Sequence, residues 1–310
     1  MAETLNVDSG PDAALPLPKG HADTMMTRTH AFVSLLCLSL VAPTLAVLPP
    51  PARAAASEAP IQFVSFDAYD YGFTGPDHIH PGLTTIQIVN TGRELHHIQL
   101  VKLDAGKTAR QFTSAMKAEP GRFPTWAHFM GGPNAAAPGD RTAAVQDLQP
   151  GHYLLLCVIP DNKGAPHFAL GMIKPLTVSS KAASRGTMVK PDVVITLSDF
   201  HFALSQPLTS GTHTIQVVNQ GSQVHEAVVV QLPPNGSIKA FAAAFEPGAP
   251  LPDPPPGKPI GGVTGIEGGN QGWATIMFSP GRYGLICFFP DPATGAPHFT
   301  KGMMVDFDVK

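Results

Sequence analysis

Arg282-Tyr-Gly-Leu-Ile-Cys287-Phe-Phe-Pro-Asp-Pro-Ala-Thr-Gly-Ala-Pro-His298-Phe-Thr-Lys-Gly-Met303 closes an apolar run on a cysteine, then sets ten residues before a histidine and four more before a methionine. Met304 to Val309 resumes the apolar run. Apolar runs bounded by Pro, Asp and Gly predict a strand, a loop and a second strand. The same stretch occurs earlier as His152-Tyr-Leu-Leu-Leu-Cys157-Val-Ile-Pro-Asp-Asn-Lys-Gly-Ala-Pro-His167-Phe-Ala-Leu-Gly-Met172, with nine and four residues between the same side chains. The chain is built twice.

Working outward, the repeat extends in both directions. Asp70-Tyr-Gly-Phe73 matches Asp199-Phe-His-Phe202, and Gly82 to Asn90 matches Gly211 to Asn219. In the first copy, strands are expected over Gln62–Phe73, Leu83–Val89, Leu95–Leu103, Thr142–Leu148, His152–Val158 and Met172–Val178. Ala105–Ala118 is expected to be helical, and 74–82 and the Gly/Pro-rich 119–139 to be loops. The second copy gives strands over Val193–Phe202, Gly211–Asn219, Val224–Leu232, Trp273–Phe278, Arg282–Phe288 and Met304–Val309, a helix over Ile238–Phe245, and a long loop over Pro247–Gly272. Many short strands with regular turn signals predict an all-β protein: two tandem Greek-key β-sandwich domains, each with one short helix. The expected limits are 55–179 and 192–310, joined by a polar linker at 180–191.

The length of 310 residues accommodates two cores, and 43% apolar with 14% charged residues fits a globular protein. A formal charge of −3 offers no electrostatic footprint for nucleic acid. Residues 25–54 read as a secretory signal: Arg28 and His30 precede the apolar Ala31 to Leu48, and Ala52-Arg-Ala54 supplies the small-x-small cleavage pattern. Translation is then expected to start at Met25 or Met26, and residues 1–24 form an N-terminal extension. The mature chain is expected in the periplasm or outside the cell, with no stable membrane span. Two cysteines remain in it, and their equivalent positions in two separate cores argue against a disulfide.

A further histidine precedes the third strand of each copy, in Asn90-Thr-Gly-Arg-Glu-Leu-His96-His97 and Asn219-Gln-Gly-Ser-Gln-Val-His225-Glu226. Alignment pairs His96 with His225, because Glu226 stands opposite His97. Each copy therefore offers one distant histidine, then cysteine, histidine and methionine in one loop. Two imidazoles, a thiolate and a weak thioether suit copper in both oxidation states. Zinc fits an N/S site, but a thioether is a poor zinc ligand. The bland reading is a buried Cys and Met that merely pack. His78-Ile-His80 lacks a counterpart in the second copy and reads as a solvated loop. His128, His152, His201 and His213 are unmatched and read as surface or packing residues, as do Trp126 and Trp273. Tyr153 and Tyr283 read as corner tyrosines bonded to backbone, and Gly171 and Gly302 as points of close backbone approach.

From about residue 61 to 309 the chain resembles the cupredoxin family of type-1 blue copper proteins, in tandem. Asn-x-Gly-x-x-x-His is similar to the family's first-ligand turn, and Pro150 to Cys157 and Pro280 to Cys287 resemble its Pro-Gly-x-Tyr-x-x-x-Cys strand. The resemblance implies copper ligands His96, Cys157, His167 and Met172 at one site and His225, Cys287, His298 and Met303 at the other, hence up to two coppers per chain. The gap of nine or ten residues between Cys and His is longer than in the small electron carriers and closer to that of two-domain copper nitrite reductases. Leu156, Val158, Ile286 and Phe288 flank the cysteines where multicopper oxidases carry histidines, so a non-enzymatic role is expected.

The function implied is one-electron transfer to a redox partner protein through an exposed edge of His167 or His298. The alternatives are a metal-free cupredoxin-like scaffold and a periplasmic Cu(I) storage or delivery protein with a copper donor or acceptor as partner. Association into homo-oligomers is left open.

Overall fold

A computed structural model describes residues 60–181, 186–188, 190–245 and 256–310. The expected signal segment and extension lie outside the described residues, as does part of the linker. The first half contains β1 (Gln62–Tyr69), β2 (Gly72–Thr74), β3 (His78–Ile79), β4 (Gly82–Asn90), β5 (Gln99–Leu103), helix α1 (Ala109–Ala118), β6 (Ala127–Phe129), β7 (Arg141–Leu148), β8 (Gly151–Leu156) and β9 (Ile173–Val178). The second contains β10 (Val193–Ser198), β11 (His201–Leu204), β12 (Gly211–Asn219), β13 (His225–Leu232), helix α2 (Ile238–Ala243), β14 (Lys258–Ile266), β15 (Gln271–Phe278), β16 (Gly281–Ile286) and β17 (Met304–Val309). The protein is all-β, and each half is a Greek-key sandwich with one short helix.

Alternation explains the layers. Along β4 every second residue is buried, so Ile86 and Ile88 face the core while Leu83, Gln87 and Val89 are part-exposed. Strand β8 is apolar and buried from Tyr153 to Leu156, because both of its faces are covered there. Tyr153 and Leu155 pack into the sandwich, whereas Leu154 and Leu156 join a cluster with Phe112 and Met116 of α1. Full burial of one such leucine contributes about 1.5–3 kcal/mol. Helix α1 starts later than its apolar period suggests because Thr108 and Gln111 cap each other reciprocally. The corner tyrosines are bonded as expected: Tyr153 Oη donates to Gln149 O at 2.8 Å and Tyr283 Oη to Ser279 O at 3.0 Å.

Three sheets result among the described residues. One runs β3-β9-β8-β5-β6 and one β14-β13-β16-β17, while an eight-stranded sheet runs β11-β10-β12-β15-β7-β4-β1-β2 through both halves. Its seam is a short antiparallel contact, Trp273 opposite Val145 and Ala274 opposite Ala144. A second seam forms where β14 meets residues 129–136, with Gly131 N donating to Gly265 O at 2.8 Å and Thr264 N to Gly132 O at 3.0 Å. Gln99 Nε2 adds a 2.8 Å bond to Gly265 O.

The sequence places both β6 and β14 in loops, and the structure corrects this. In β14 the reason is glycine: Gly261 and Gly262 have φ of 126° and 120°, and the pairing with β13 shifts register between Val229 and Val230. The strand is bulged, so its composition reads as loop. His78 belongs to the two-residue β3, yet it and His80 are exposed, in keeping with a solvated segment. Strand β5 begins only at Gln99, because His96 instead bridges Ala136.

A Cβ on Gly262 would lie 1.9 Å from Ala227 O, in backbone that cannot retreat without breaking β13–β14 pairs. Gly269 shares positive φ but has open space around it. Gly269→Ala is therefore expected to cost only the left-handed penalty, about 1–2 kcal/mol. Gly262→Ala is expected to cost clearly more, read as the larger drop in thermal midpoint at about 2–4 °C per kcal/mol. Equal drops would contradict the bulge.

Candidate metal centres

The first-ligand turn is held by its asparagine. Asn90 Nδ2 donates to Glu94 O (2.7 Å) and Ala136 O (2.8 Å), and its Oδ1 accepts from Gly92 N (2.9 Å). Asn219 repeats this with Gln223 O (2.8 Å), Ile266 O (2.7 Å) and Gly221 N (2.8 Å). This is a side chain standing in for missing backbone partners in a turn. The glycine two positions on is required by space: a Cβ on Gly92 would lie 2.3 Å from Asp70 Oδ1 and 2.7 Å from His96 Nε2. One on Gly221 would lie 2.5 Å from Asp199 Oδ1 and 2.8 Å from His225 Nε2.

The long loops between Cys and His are equally built. Asp161 Oδ1 accepts from Lys163 N and Ala165 N, and Asp291 Oδ1 from Ala293 N and Thr294 N. Pro160 bridges Pro166 and Pro290 bridges Pro297, which returns His167 N to Ile159 O and His298 N to Phe289 O, each at 2.9 Å. The nine- and ten-residue spans between Cys and His are organised by this aspartate-centred turn. Gly171 and Gly302 then turn the chain at φ of 117° and 97°. They serve the left-handed turn and not a close approach, since a Cβ at Gly302 would meet nothing within 4 Å.

These elements bring His96, Cys157 and His167 together, and likewise His225, Cys287 and His298. All six are fully buried. In the first cluster His96 Nδ1 lies 3.2 Å from His167 Nδ1, and Cys157 Sγ lies 3.9 and 3.5 Å from them. In the second the two Nδ1 atoms are 3.0 Å apart, and Cys287 Sγ is 3.5 Å from that of His298. Both cysteines are free thiols, as their equivalent positions imply. Met172 and Met303 are buried beside them. Cys157 N donates to Met172 O at 3.3 Å and Cys287 N to Met303 O at 3.2 Å.

The outer nitrogens decide the tautomers. His96 Nε2 meets Asp70 Oδ1 at 2.7 Å, His167 Nε2 meets Glu94 Oε2 at 2.8 Å, His225 Nε2 meets Asp199 Oδ1 at 2.9 Å and His298 Nε2 meets Gln223 Oε1 at 2.9 Å. Oxygen acceptors on every Nε2 place the proton there and leave each Nδ1 a lone pair aimed inward. Two lone pairs about 3 Å apart beside sulfur call for a cation. A point equidistant from the first three donors lies about 2.1 Å from each, which matches imidazole–metal bonds of ~2.0–2.1 Å and approaches thiolate bonds of ~2.3 Å. The donor set fits a soft or borderline metal such as copper.

Sequence reasoning missed Asp70, Glu94, Asp199 and Gln223. The signal was present, since both pairs recur at matched positions of the two copies. It also misplaced an edge: His167 and His298 expose no surface. Tyr71 packs on His167 with ring centroids 4.8 Å apart and donates from its Oη to Glu94 at 2.9 Å, while Phe200 packs on His298 at 5.2 Å. The half-buried Tyr71 and Phe200 separate the clusters from solvent.

Burial lowers the affinity of all four imidazoles for a proton against the pull of their partners, His298 down to about 4. Burial pushes the Cys157 thiol up to about 12, and Cys287 further, with Glu226 adding to the effect.

No protein-family model and no curated protein matches the sequence. Solved structures do. Auracyanin B is similar at 22% identity over 40% of this chain and 93% of its own, with a TM-score of 0.28. Auracyanin A, a "blue" copper protein from Chloroflexus aurantiacus, is 21% identical over 38% and 99%, with a TM-score of 0.26. The Cu-containing nitrite reductase of Thermus scotoductus SA-01 is 12% identical over 81% and 62%, with a TM-score of 0.24. The sheets and the paired clusters themselves, rather than these likenesses, make the described residues a tandem cupredoxin-like protein.

Because each thiol is protonated at pH 7 and each imidazole neutral, metal uptake is expected to release ~1 proton per cluster, with apparent affinity rising about tenfold per pH unit from 7 to 9. Calorimetric titration in buffers of different ionisation enthalpy checks this. Uptake without proton release would place the metal elsewhere.

Proposed function

We propose that the chain is an exported one-electron carrier holding one type-1-like copper per half, in sandwich domains 55–179 and 192–310. The observation that carries this reading is the recurrence of a buried Nδ1, Nδ1, Sγ triangle with every outer nitrogen bonded to oxygen. His96, Cys157 and His167 would hold one copper and His225, Cys287 and His298 the other, with Met172 and Met303 as weak fourth donors. The metal supplies the one-electron couple between Cu(I) and Cu(II).

The residues of the chain do the rest. Asp70 and Asp199 fix the orientation of the first imidazoles, and Glu94 and Gln223 fix the second. Such outer partners conserve ligand geometry through a change of charge. Each thiol must give up its proton once, on loading, after which burial excludes water from the sulfur. Backbone support from Met172 and Met303 ties each cysteine to the loop that carries its histidine. With both imidazole edges covered, the surface offered to a redox partner protein is Tyr71 with Glu94 over one cluster and Phe200 with Gln223 over the other.

The role is proposed as non-enzymatic: Leu156, Val158, Ile286 and Phe288, which flank the cysteines, cannot ligate a second metal. Among the described residues no helix is long and apolar enough to cross a membrane. A copper-holding role for storage or delivery is the second reading, favoured by the complete burial of both C-terminal histidines.

Copper per chain and the visible thiolate-to-copper band, measured for the native protein, Cys157→Ser and Cys287→Ser, test the proposal. The native chain is expected to bind two coppers that bleach and recover on reduction and reoxidation, and each variant to lose one copper and its share of the band. Full copper and colour in either variant would refute the assignment. Two colourless Cu(I) ions that resist oxidation would select the storage reading.

A further inference from the structure

Phe200 is the one residue other than glycine, among the described residues, that holds a positive φ, at 66°. It is the second residue of the two-residue turn between β10 and β11, since Ser198 pairs with His201. A positive φ there normally goes to glycine or asparagine, and a bulky side chain in left-handed backbone carries strain that its surroundings must hold in place. Here they do. The Phe200 ring stands edge-on to both histidines of the second cluster, with centroids 5.2 Å from His298 and 6.4 Å from His225. Lys301 Nζ lies over the same ring, 4.8 Å from its centroid.

Lys301 is itself tied down. Its Nζ donates to Asp291 Oδ2 at 2.7 Å, and Asp291 is the buried carboxylate that organises the loop from Cys287 to His298. The ammonium therefore joins the aromatic cover to that loop, through a cation over a ring face and a charge-assisted hydrogen bond. Asp199, just before Phe200, is anchored separately by Ser222 N at 3.0 Å and by His225 Nε2 at 2.9 Å. The first half is covered differently. Tyr71 keeps ordinary backbone, its Oη donates to Glu94 Oε1 at 2.9 Å, and Leu170, 42% exposed, stands where the second half has Lys301. Two matched clusters thus have covers held by different forces: a hydrogen bond to a carboxylate in one, strained backbone under a surface cation in the other.

We infer that Phe200 is the gate to the second cluster and Lys301 its latch, so that a soft metal ion reaches Cys287 when the ring leaves His298, independently of the route to Cys157 under Tyr71. Cys287, His225 and His298 are fully buried, so nothing meets their donor atoms without a movement. Release of the ring lets the Phe200 backbone relax to negative φ, which favours opening; the packing on two imidazoles and the Lys301 contact oppose it. Removing the latch shifts that local equilibrium without altering a donor or an outer partner of either cluster. The inference rests on the copper reading for what passes the gate, whereas the opening itself belongs to the metal-free chain.

The test labels the full-length, metal-free chain with methyl methanethiosulfonate, a small uncharged thiol reagent, and follows Cys157 and Cys287 separately by peptide mass spectrometry. Lys301→Gln is expected to raise the labelling rate of Cys287 severalfold and to leave that of Cys157 unchanged. Phe200→Gly, which accepts the positive φ and removes the ring, is expected to raise it further. An unchanged rate at Cys287 in either folded variant overturns the inference. A parallel rise at both cysteines also overturns it, because the chain is then opening as a whole, which a lowered thermal midpoint confirms. Should Phe200→Gly fail to fold, Lys301→Gln, at a surface position, decides alone. Copper counted per chain on the same proteins keeps the two readings apart: selective labelling without copper uptake overturns the carrier reading and leaves the gate, and two coppers with unchanged labelling overturn the gate alone.

Discussion

Two imidazole lone pairs aimed at one point beside a buried thiol cannot be left to themselves. In a low-dielectric interior, acceptors about 3 Å apart repel, and the neighbouring sulfur is a weak donor at best. The arrangement persists because the outer nitrogens are committed to Asp70, Glu94, Asp199 and Gln223, which holds the rings in the tautomer that faces inward. Much of the surrounding structure serves that commitment. The asparagine turns bring Glu94 and Gln223 within reach, Gly92 and Gly221 leave room for the Asp–His pairs, and the aspartate-centred loops return the second histidine to its cysteine.

The two halves keep this frame and vary what surrounds it. Glu94 against Gln223, His97 against Glu226 and Tyr71 against Phe200 stand at matching positions of the repeat. The donors, the aspartates on the first histidines and the asparagine turns are unchanged. Glu94 and Gln223 both present an oxygen to the second histidine but differ in charge, and the other changed residues alter local charge and access. That division suits two centres of one chemistry tuned apart. The continuous eight-stranded sheet and the β14 seam hold the halves in contact within one compact unit.

Much of this was legible in the sequence. The repeat and most of its strands follow from matched spacing, and the eight candidate ligands from residue types at equivalent positions of the two copies together with the family resemblance. The six histidine and cysteine side chains are brought together as that spacing requires. Bulged β14 was not legible, since two glycines at positive φ remove the alternation that marks a strand. The seam was not legible either: Trp273 opposite Val145 and Asn134 beside Glu226 join residues more than ninety positions apart with no local signature. Nor was the burial of His167 and His298, which depends on Tyr71 and Phe200 arriving from the first strand pair of each half.

X-ray absorption at the copper edge of the loaded protein tests the central claim most directly, because it counts the donors by element and distance. The account predicts, per copper, two nitrogen scatterers at ~2.0 Å and one sulfur at ~2.3 Å, in both halves. A first shell of nitrogen and oxygen alone would contradict it.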